Sequence, residues 1–100
     1  MATEQTVEDD RALDLRRKGQ SFASIAKTLG YDRASQANEA FNRALRTRPA
    51  DEQVVLRDEE QKRLDALATR VRSRDDLAED EMNRQLRTIN RLREVLMAEG

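Results

Sequence analysis

Cysteine, histidine and tryptophan are absent from this chain of 100 residues, and aromatic residues of any kind make up only 3% of it. Without cysteine there are no disulfides and no thiolate metal ligands, and nothing argues for secretion. Without histidine, the commonest general base and the commonest metal ligand are missing. No apolar run approaches the roughly 20 residues that a membrane-spanning helix needs. We therefore expect a soluble intracellular protein.

No catalytic or metal-binding pattern takes the place of the missing residue types. The chain has no nucleophile–base pair, no glycine-rich phosphate loop and no metal-ligand spacing. Its acidic runs, 58–60 and 79–81, are consecutive, so on a helix they fan around the axis instead of converging on an ion. The sequence thus predicts that the protein is not an enzyme and needs no cofactor or metal.

What the chain does contain favours helices. Charged residues make up 39% of it, while proline occurs once and glycine three times, a mix typical of long helices with ion-paired faces. Such a polar chain buries only a thin core, so a partner or self-association is expected to add stability. The sequence predicts an all-α protein: a three-helix helix-turn-helix head followed by a two-helix antiparallel hairpin or coiled-coil arm.

The expected organisation has four parts. Residues 1–7 lack periodicity and are predicted to be a disordered tail. Residues 8–48 form the head, and 49–51, around the single proline, form a linker. Residues 52–100 form the arm, with a polar stretch at 73–76 where one helix ends or continues into the next.

The head is organised around the stretch from Ser21 to Arg48. Ser21 suits a helix N-cap, Phe22 opens an apolar stripe at helical spacing, and Gly30 suits a left-handed helix end. Asp32 is the expected cap of the following helix. That helix has an alanine-rich inner face and a polar outer face, which is the sequence form of a helix-turn-helix.

The outer face of this last head helix is the candidate surface for double-stranded DNA. The stretch 33–48 has four arginines and one glutamate, a local charge of +3, whereas residues 1–50 sum to +2 and 51–100 to −3. Arginine suits phosphate and guanine, and asparagine and glutamine suit adenine edges. The alternative is a protein-binding head with a solvated polar face. The predicted DNA-contacting residues are Arg33, Ser35, Gln36, Asn38, Asn42, Arg43 and Arg46.

The arm carries apolar residues at helical and heptad spacing that form a core, either within one chain or between chains. Packing between copies of the chain is the favoured interpretation, because small chains often need such help. The predicted oligomerisation residues are Leu64, Leu67, Val71, Met82, Leu86, Ile89, Leu92 and Leu96.

The chain resembles the terminase small subunits of phages and related actinobacterial phage proteins. The resemblance rests on Gly19–Phe22, Ile25–Ala26, Leu29–Tyr31, the alanine-spaced third helix, and Leu56–Arg57 with Glu60 and Arg63–Asp65. It implies a helical oligomer, often a ring, that recognises viral DNA and passes it to a large terminase ATPase in the cytoplasm of a bacterial host. The sequence departs from the pattern at 74–76, where a looser, glycine-bearing turn is expected.

Three hypotheses follow from the sequence. The first is a packaging protein similar to a terminase small subunit. The second is a small helix-turn-helix transcription regulator with a dimerising tail. The third, of another class, is a phage or bacterial interaction module that binds a host protein through the same surfaces.

Overall fold

The structure, a computed structural model, describes residues 3–98 and is all-α over that range, with no strand. The predicted fold class is therefore confirmed at the level of an all-helical chain. Backbone contacts divide the chain into two compact units between Gln53 and Val54. The helices are α1 (Glu4–Arg17), α2 (Phe22–Leu29), α3 (Ala34–Arg46), α4 (Ala50–Arg72) and α5 (Glu79–Met97).

The first helix starts earlier than the sequence pattern indicates. Thr3 is its N-cap, with its side-chain oxygen accepting a hydrogen bond from the backbone N–H of Thr6 at 3.1 Å. The predicted disordered tail is thus wrong for residues 4–7, because a threonine cap supplies the helix start that apolar periodicity does not mark. Residues 1–2 of that predicted tail lie outside the described residues.

The first unit is a three-helix core in which α1, α2 and α3 pack against one another pairwise. The predicted alanine-rich face of α3 is buried, and the rings of Phe22 and Phe41 meet edge to face with centroids 5.7 Å apart. Small alanines let the backbones approach closely, so two phenylalanines suffice to fill the centre. The apolar core consists of Ala12, Leu13, Phe22, Ile25, Ala26, Ala37, Ala40, Phe41, Ala44 and Leu45.

The link between α2 and α3 is short and well capped. Ser21 caps α2 by accepting from the N–H of Ser24 at 3.1 Å. Gly30 ends α2 with φ +79°, a left-handed conformation that glycine adopts without steric cost. The predicted cap of α3, Asp32, is wrong by one residue, since Arg33 occupies that position and the helix begins at Ala34.

The fourth helix begins directly after the proline. Pro49 accepts a hydrogen bond through its carbonyl from the N–H of Gln53 at 3.0 Å, and Ala50 is the first helical residue. Proline tolerates this place because the first N–H groups of a helix need no intrahelical acceptor. Residues 50–51 therefore belong to α4 and not to the predicted linker, and Asp51 lies in its first turn.

In the second unit, α4 and α5 lie side by side. Arg57 Nε donates to the backbone carbonyl of Leu96 at 2.9 Å, and Arg93 Nη2 donates to Asp65 Oδ1 at 2.8 Å. Side chains of α4 thus contact residues late in α5. Glu60, which interrupts the apolar pattern of α4, is nevertheless only 2% exposed and pairs with Arg63 at 3.4 Å.

The turn between α4 and α5 contains no glycine. Its backbone is closed by hydrogen bonds from Ser73 N to Thr69 O and from Arg74 N to Val71 O. The guanidinium of Arg74 binds both carboxylate oxygens of Asp76, at 3.0 and 2.7 Å, and this hydrogen bonding lowers the pKa of the Asp76 carboxyl. The departure noted at 74–76 is therefore an ion-paired turn.

Half of the predicted oligomerisation residues are core residues of a single chain. Leu64, Val71, Ile89 and Leu96 are at most 4% exposed within the monomer. These four are therefore buried within the single chain, and the predicted packing between chains stays a prediction for the others. The other four remain half-exposed: Leu67, Met82, Leu86 and Leu92.

Candidate nucleic-acid interface

The third helix has one face packed in the core and one face open to solvent. Ser35 and Glu39 are exposed, and Arg43 follows on the same side with 42% of its side chain accessible. Arg33, at the N-cap, is exposed beside them. A helix with this division presents a polar strip about 20 Å long, given 13 residues at roughly 1.5 Å each.

Two predicted base-contacting residues are on the wrong side of this helix. Asn38 is 8% exposed and Asn42 is 2% exposed. Asn42 Nδ2 donates to the backbone carbonyl of Asn38 at 2.9 Å and to its side-chain oxygen at 3.2 Å. Both amides border the apolar stripe, where packing buries them and local hydrogen bonds satisfy the Nδ2 donor of Asn42. They are structural residues and do not reach a base edge.

Gln36 acts as part of the helix start. Its side-chain oxygen accepts hydrogen bonds from the backbone N–H groups of Asp32 at 2.9 Å and of Arg33 at 3.0 Å. This is the reaching-back half of a capping box, and it satisfies two N–H groups before the first turn. The bidentate pairing with adenine that we expected of Gln36 requires this same oxygen, so that prediction is wrong for this conformation.

Arg43 is held by a carboxylate of α1. Its Nε donates to Asp9 Oδ2 at 2.9 Å and its Nη2 donates to Asp9 Oδ1 at 3.0 Å, a two-point pairing across 34 residues of sequence. Asp9 is 9% exposed at its side chain. The hydrogen bonds to Asp9 raise the pKa of Arg43, so the guanidinium stays charged throughout the physiological pH range.

A second ion pair repeats this pattern. Arg48 Nη2 donates to Asp10 Oδ1 at 3.2 Å, and both side chains are partly exposed. The local charge of +3 over 33–48 falls to +1 once Asp9 and Asp10 are added to the four arginines and Glu39. The surface is therefore less positive than the sequence segment alone predicts.

Asp9 and Asp10 are the residues that sequence reasoning missed at this surface. A signal existed, since α1 places these acids next to one another near its start, but their partners lie more than thirty residues away. Only the packing of α1 on α3 brings the two sets together.

Arg16 has a structural position. Its guanidinium lies 4.1 Å from the centre of the Phe22 ring, and its Nη1 donates to the backbone carbonyl of Gln20 at 3.0 Å. A cation over an aromatic face is stabilised by the ring quadrupole. Residues that follow the end of α1 therefore hold Arg16 in place.

Metal-binding clusters and membrane-spanning helices are absent from the described part of the chain. Over residues 3–98 there is no cluster of three acidic, histidine or cysteine side chains that could hold a metal ion. No helix in that range is long and apolar enough to cross a membrane. No protein-family model matches the sequence, and neither a curated protein nor a solved structure matches the chain.

Proposed function

We propose that this chain is a non-catalytic DNA-binding protein and that α2, the turn 30–33 and α3 form a helix-turn-helix. The observation that carries the proposal is the position of α3, which has an apolar face fixed against α1 and α2 and an exposed polar face. An α-helix about 10–12 Å in diameter fits the B-DNA major groove, roughly 12 Å wide. The rigid core would hold α3 at the angle at which it enters the groove.

Within this proposal, the contact surface differs from the predicted one. Arg33 and Ser35, exposed at the start of α3, are suited to phosphate or base contact, because recognition helices use their N-terminal residues for this purpose. Arg46 is half-buried further along the helix and lines the same side as Arg43. Glu39 is exposed between them and adds a local preference for a cytosine amino group.

The test of DNA binding is a pair of arginine substitutions that remove equal charge. Arg33→Ala should weaken duplex binding about tenfold, the value of a charge-assisted hydrogen bond of about 1.5 kcal/mol. Arg91→Ala on α5, also exposed, is the matched control and should bind like the parent. Fluorescence anisotropy with a short duplex at two salt concentrations measures both. If Arg33→Ala and the parent bind the duplex equally well, α3 is not the helix that contacts DNA.

We further propose that copies of the chain associate through the second unit, as a terminase small subunit-like assembly would. A groove of about 340 Å³ runs between α4 and α5 and contains the half-exposed Leu67 and Leu92. A second copy that offers the same leucines would cover this apolar surface, as expected of a self-complementary interface. The local +1 charge favours the same arrangement, since repeated heads bind DNA more tightly than one.

The solution mass separates the packaging role from its rivals. A ring of about eight or more subunits would favour packaging, in which the assembled protein passes viral DNA to a large terminase ATPase. A dimer would favour the transcription regulator. A monomer that fails to bind duplex DNA would favour the third hypothesis, a module that binds a host protein.

A further inference from the structure

The acidic first half of α1 lies against the arginines of α3 in a defined cleft. This α1–α3 cleft has a volume of about 330 Å³ and opens beside the Asp9–Arg43 pair. Asp10 also lines it, and this residue pairs with Arg48. The cleft is lined by Gln5, Thr6, Asp9, Asp10, Arg43, Ala44, Arg46 and Thr47.

The arginine–carboxylate contacts beside the cleft have the same geometry as the contacts that arginine makes with phosphate. A guanidinium binds the two oxygens of a carboxylate and two oxygens of a phosphate with the same planar, two-point geometry. Asp9 supplies such a pair of oxygens to Arg43, at 2.9 and 3.0 Å. Two arginines and two aspartates line the cleft, Arg43, Arg46, Asp9 and Asp10, and Arg48 joins them through its ion pair with Asp10, so that the five charges sum to +1.

We propose that the α1–α3 cleft, together with the adjoining Arg48, is a binding site for a phosphate of the DNA backbone, and that Asp9 and Asp10 occupy Arg43 and Arg48 until DNA displaces them. The inference rests on the proposed DNA-binding function and adds its regulation. The aspartates act as an intramolecular competitor, so they lower the affinity for isolated phosphates more than for a duplex, whose phosphates form a dense line of charge.

The two ion pairs differ in how readily they exchange. The Asp10 side chain is 45% exposed and that of Arg48 is 33% exposed, and exposed pairs of this kind contribute little to stability. The Asp9 side chain is only 9% exposed, so separating it from Arg43 leaves a buried charge without a partner. Arg48 therefore exchanges first, and a substitution of Asp10 tests the site without unfolding the head.

The experiment compares two substitutions that remove one negative charge each from α1. Asp10→Asn frees Arg48, whereas Asp14→Asn changes an exposed residue one turn further along that does not line the cleft. We expect Asp10→Asn to bind duplex DNA about fivefold more tightly at low salt, with a salt dependence steeper by about one released counterion. Asp14→Asn should stay within about twofold of the parent. Arg48→Ala added to Asp10→Asn should return the affinity to the parent value.

The outcomes separate this inference from the proposed function. If the DNA affinity of Asp14→Asn rises as much as that of Asp10→Asn, the rise reflects overall charge. The proposed phosphate site in the cleft is then overturned, while the proposal of DNA binding stands. If none of the proteins binds duplex DNA at low salt, the proposed function fails. The cleft can then be tested by thermal unfolding in inorganic phosphate and in chloride at equal ionic strength. Phosphate should raise the unfolding midpoint of Asp10→Asn more than that of the parent or of Asp14→Asn. Equal midpoint shifts in all three would overturn it.

Discussion

At the scale of single residues, the side chains that matter most for the head are polar groups with distant partners. Arg43 finds Asp9 across 34 residues, and Tyr31 Oη donates to Glu8 Oε2 at 3.4 Å across 23 residues. The two contacts bind the first half of α1 to the turn between α2 and α3 and to the second half of α3. The first half of α1 is thus fixed by ion pairs and hydrogen bonds in addition to apolar packing.

Tyr31 allows the first of these contacts to be followed by titration. Burial, followed by the nearby charges of Glu8 and Asp9, raises the pKa of the Tyr31 phenol above its ordinary value of 10.0. Because the folded pKa is raised, the stabilisation from the neutral phenol is fully present below pH 10 and is lost as the pH rises through the folded pKa. Phenolate absorbance measures this directly, since the chain has one tyrosine and no tryptophan.

Glu8→Gln is the control for this titration. It removes a negative charge and replaces the carboxylate acceptor of the phenol with a neutral amide oxygen, so the pKa of Tyr31 should move back toward its ordinary value. The remaining shift would reflect burial and Asp9. An unchanged titration curve in Glu8→Gln would mean that Glu8 does not contact the phenol in solution.

Glu60 gives the residue-scale prediction for the second unit. Glu60→Ala should lower the free energy of unfolding by about 2 kcal/mol, because it removes a buried side chain and its charged hydrogen bond with the partly exposed Arg63. Urea unfolding followed by circular dichroism measures the loss. The neighbouring Glu59→Ala is the control: Glu59 is half-exposed and 3.9 Å from Arg63, so its loss should cost less than about 1 kcal/mol. Equal losses would show that burial of Glu60 is unimportant.

At the scale of helices, periodicity and caps predict where most elements lie, but not what every side chain contacts. The inner face of α3 is buried as its alanine spacing predicts. Asn38 and Asn42 escape prediction because they border that face, and residue type alone does not reveal how far the packing extends around a helix. Partners 34 or more residues apart, such as Asp9 and Arg43, cannot be paired from one sequence, because no local pattern encodes the contact.

The turn between α2 and α3 gives an element-scale prediction. Gly30→Ala should lower the free energy of unfolding by about 1 kcal/mol, because φ +79° is costly for a residue with a Cβ atom. An added Cβ would meet no atom within 4 Å, so the loss is one of backbone conformation alone. Thermal unfolding measures it, and Gly30→Asn should recover part of the loss, since asparagine tolerates this conformation. A full loss in both variants would point to another cause.

At the scale of the whole molecule, the apolar side chains left partly exposed on the second unit should determine the assembly. Leu92→Glu should convert the proposed oligomer to the monomer mass in sedimentation experiments, while the helical circular dichroism signal stays unchanged. A buried position such as Ile89 would not serve, because its substitution removes the core of the unit. Asn83→Glu, at an exposed position of α5, adds the same charge and should leave the mass unaltered. An oligomer that persists in Leu92→Glu would place the interface elsewhere.

The sequence separations of the main contacts also bear on how the chain folds. The Asp9–Arg43 pair closes a loop of 34 residues, and the contact from Arg57 to Leu96 closes one of 39. The entropy cost of closing a loop grows only with the logarithm of its length, so these closures cost about 0.6 kcal/mol more than closures half as long. All partners of the Asp9–Arg43 and Tyr31–Glu8 contacts leave the ribosome before α4 does. We therefore expect these contacts of the head to form during synthesis, while the arm is still being made.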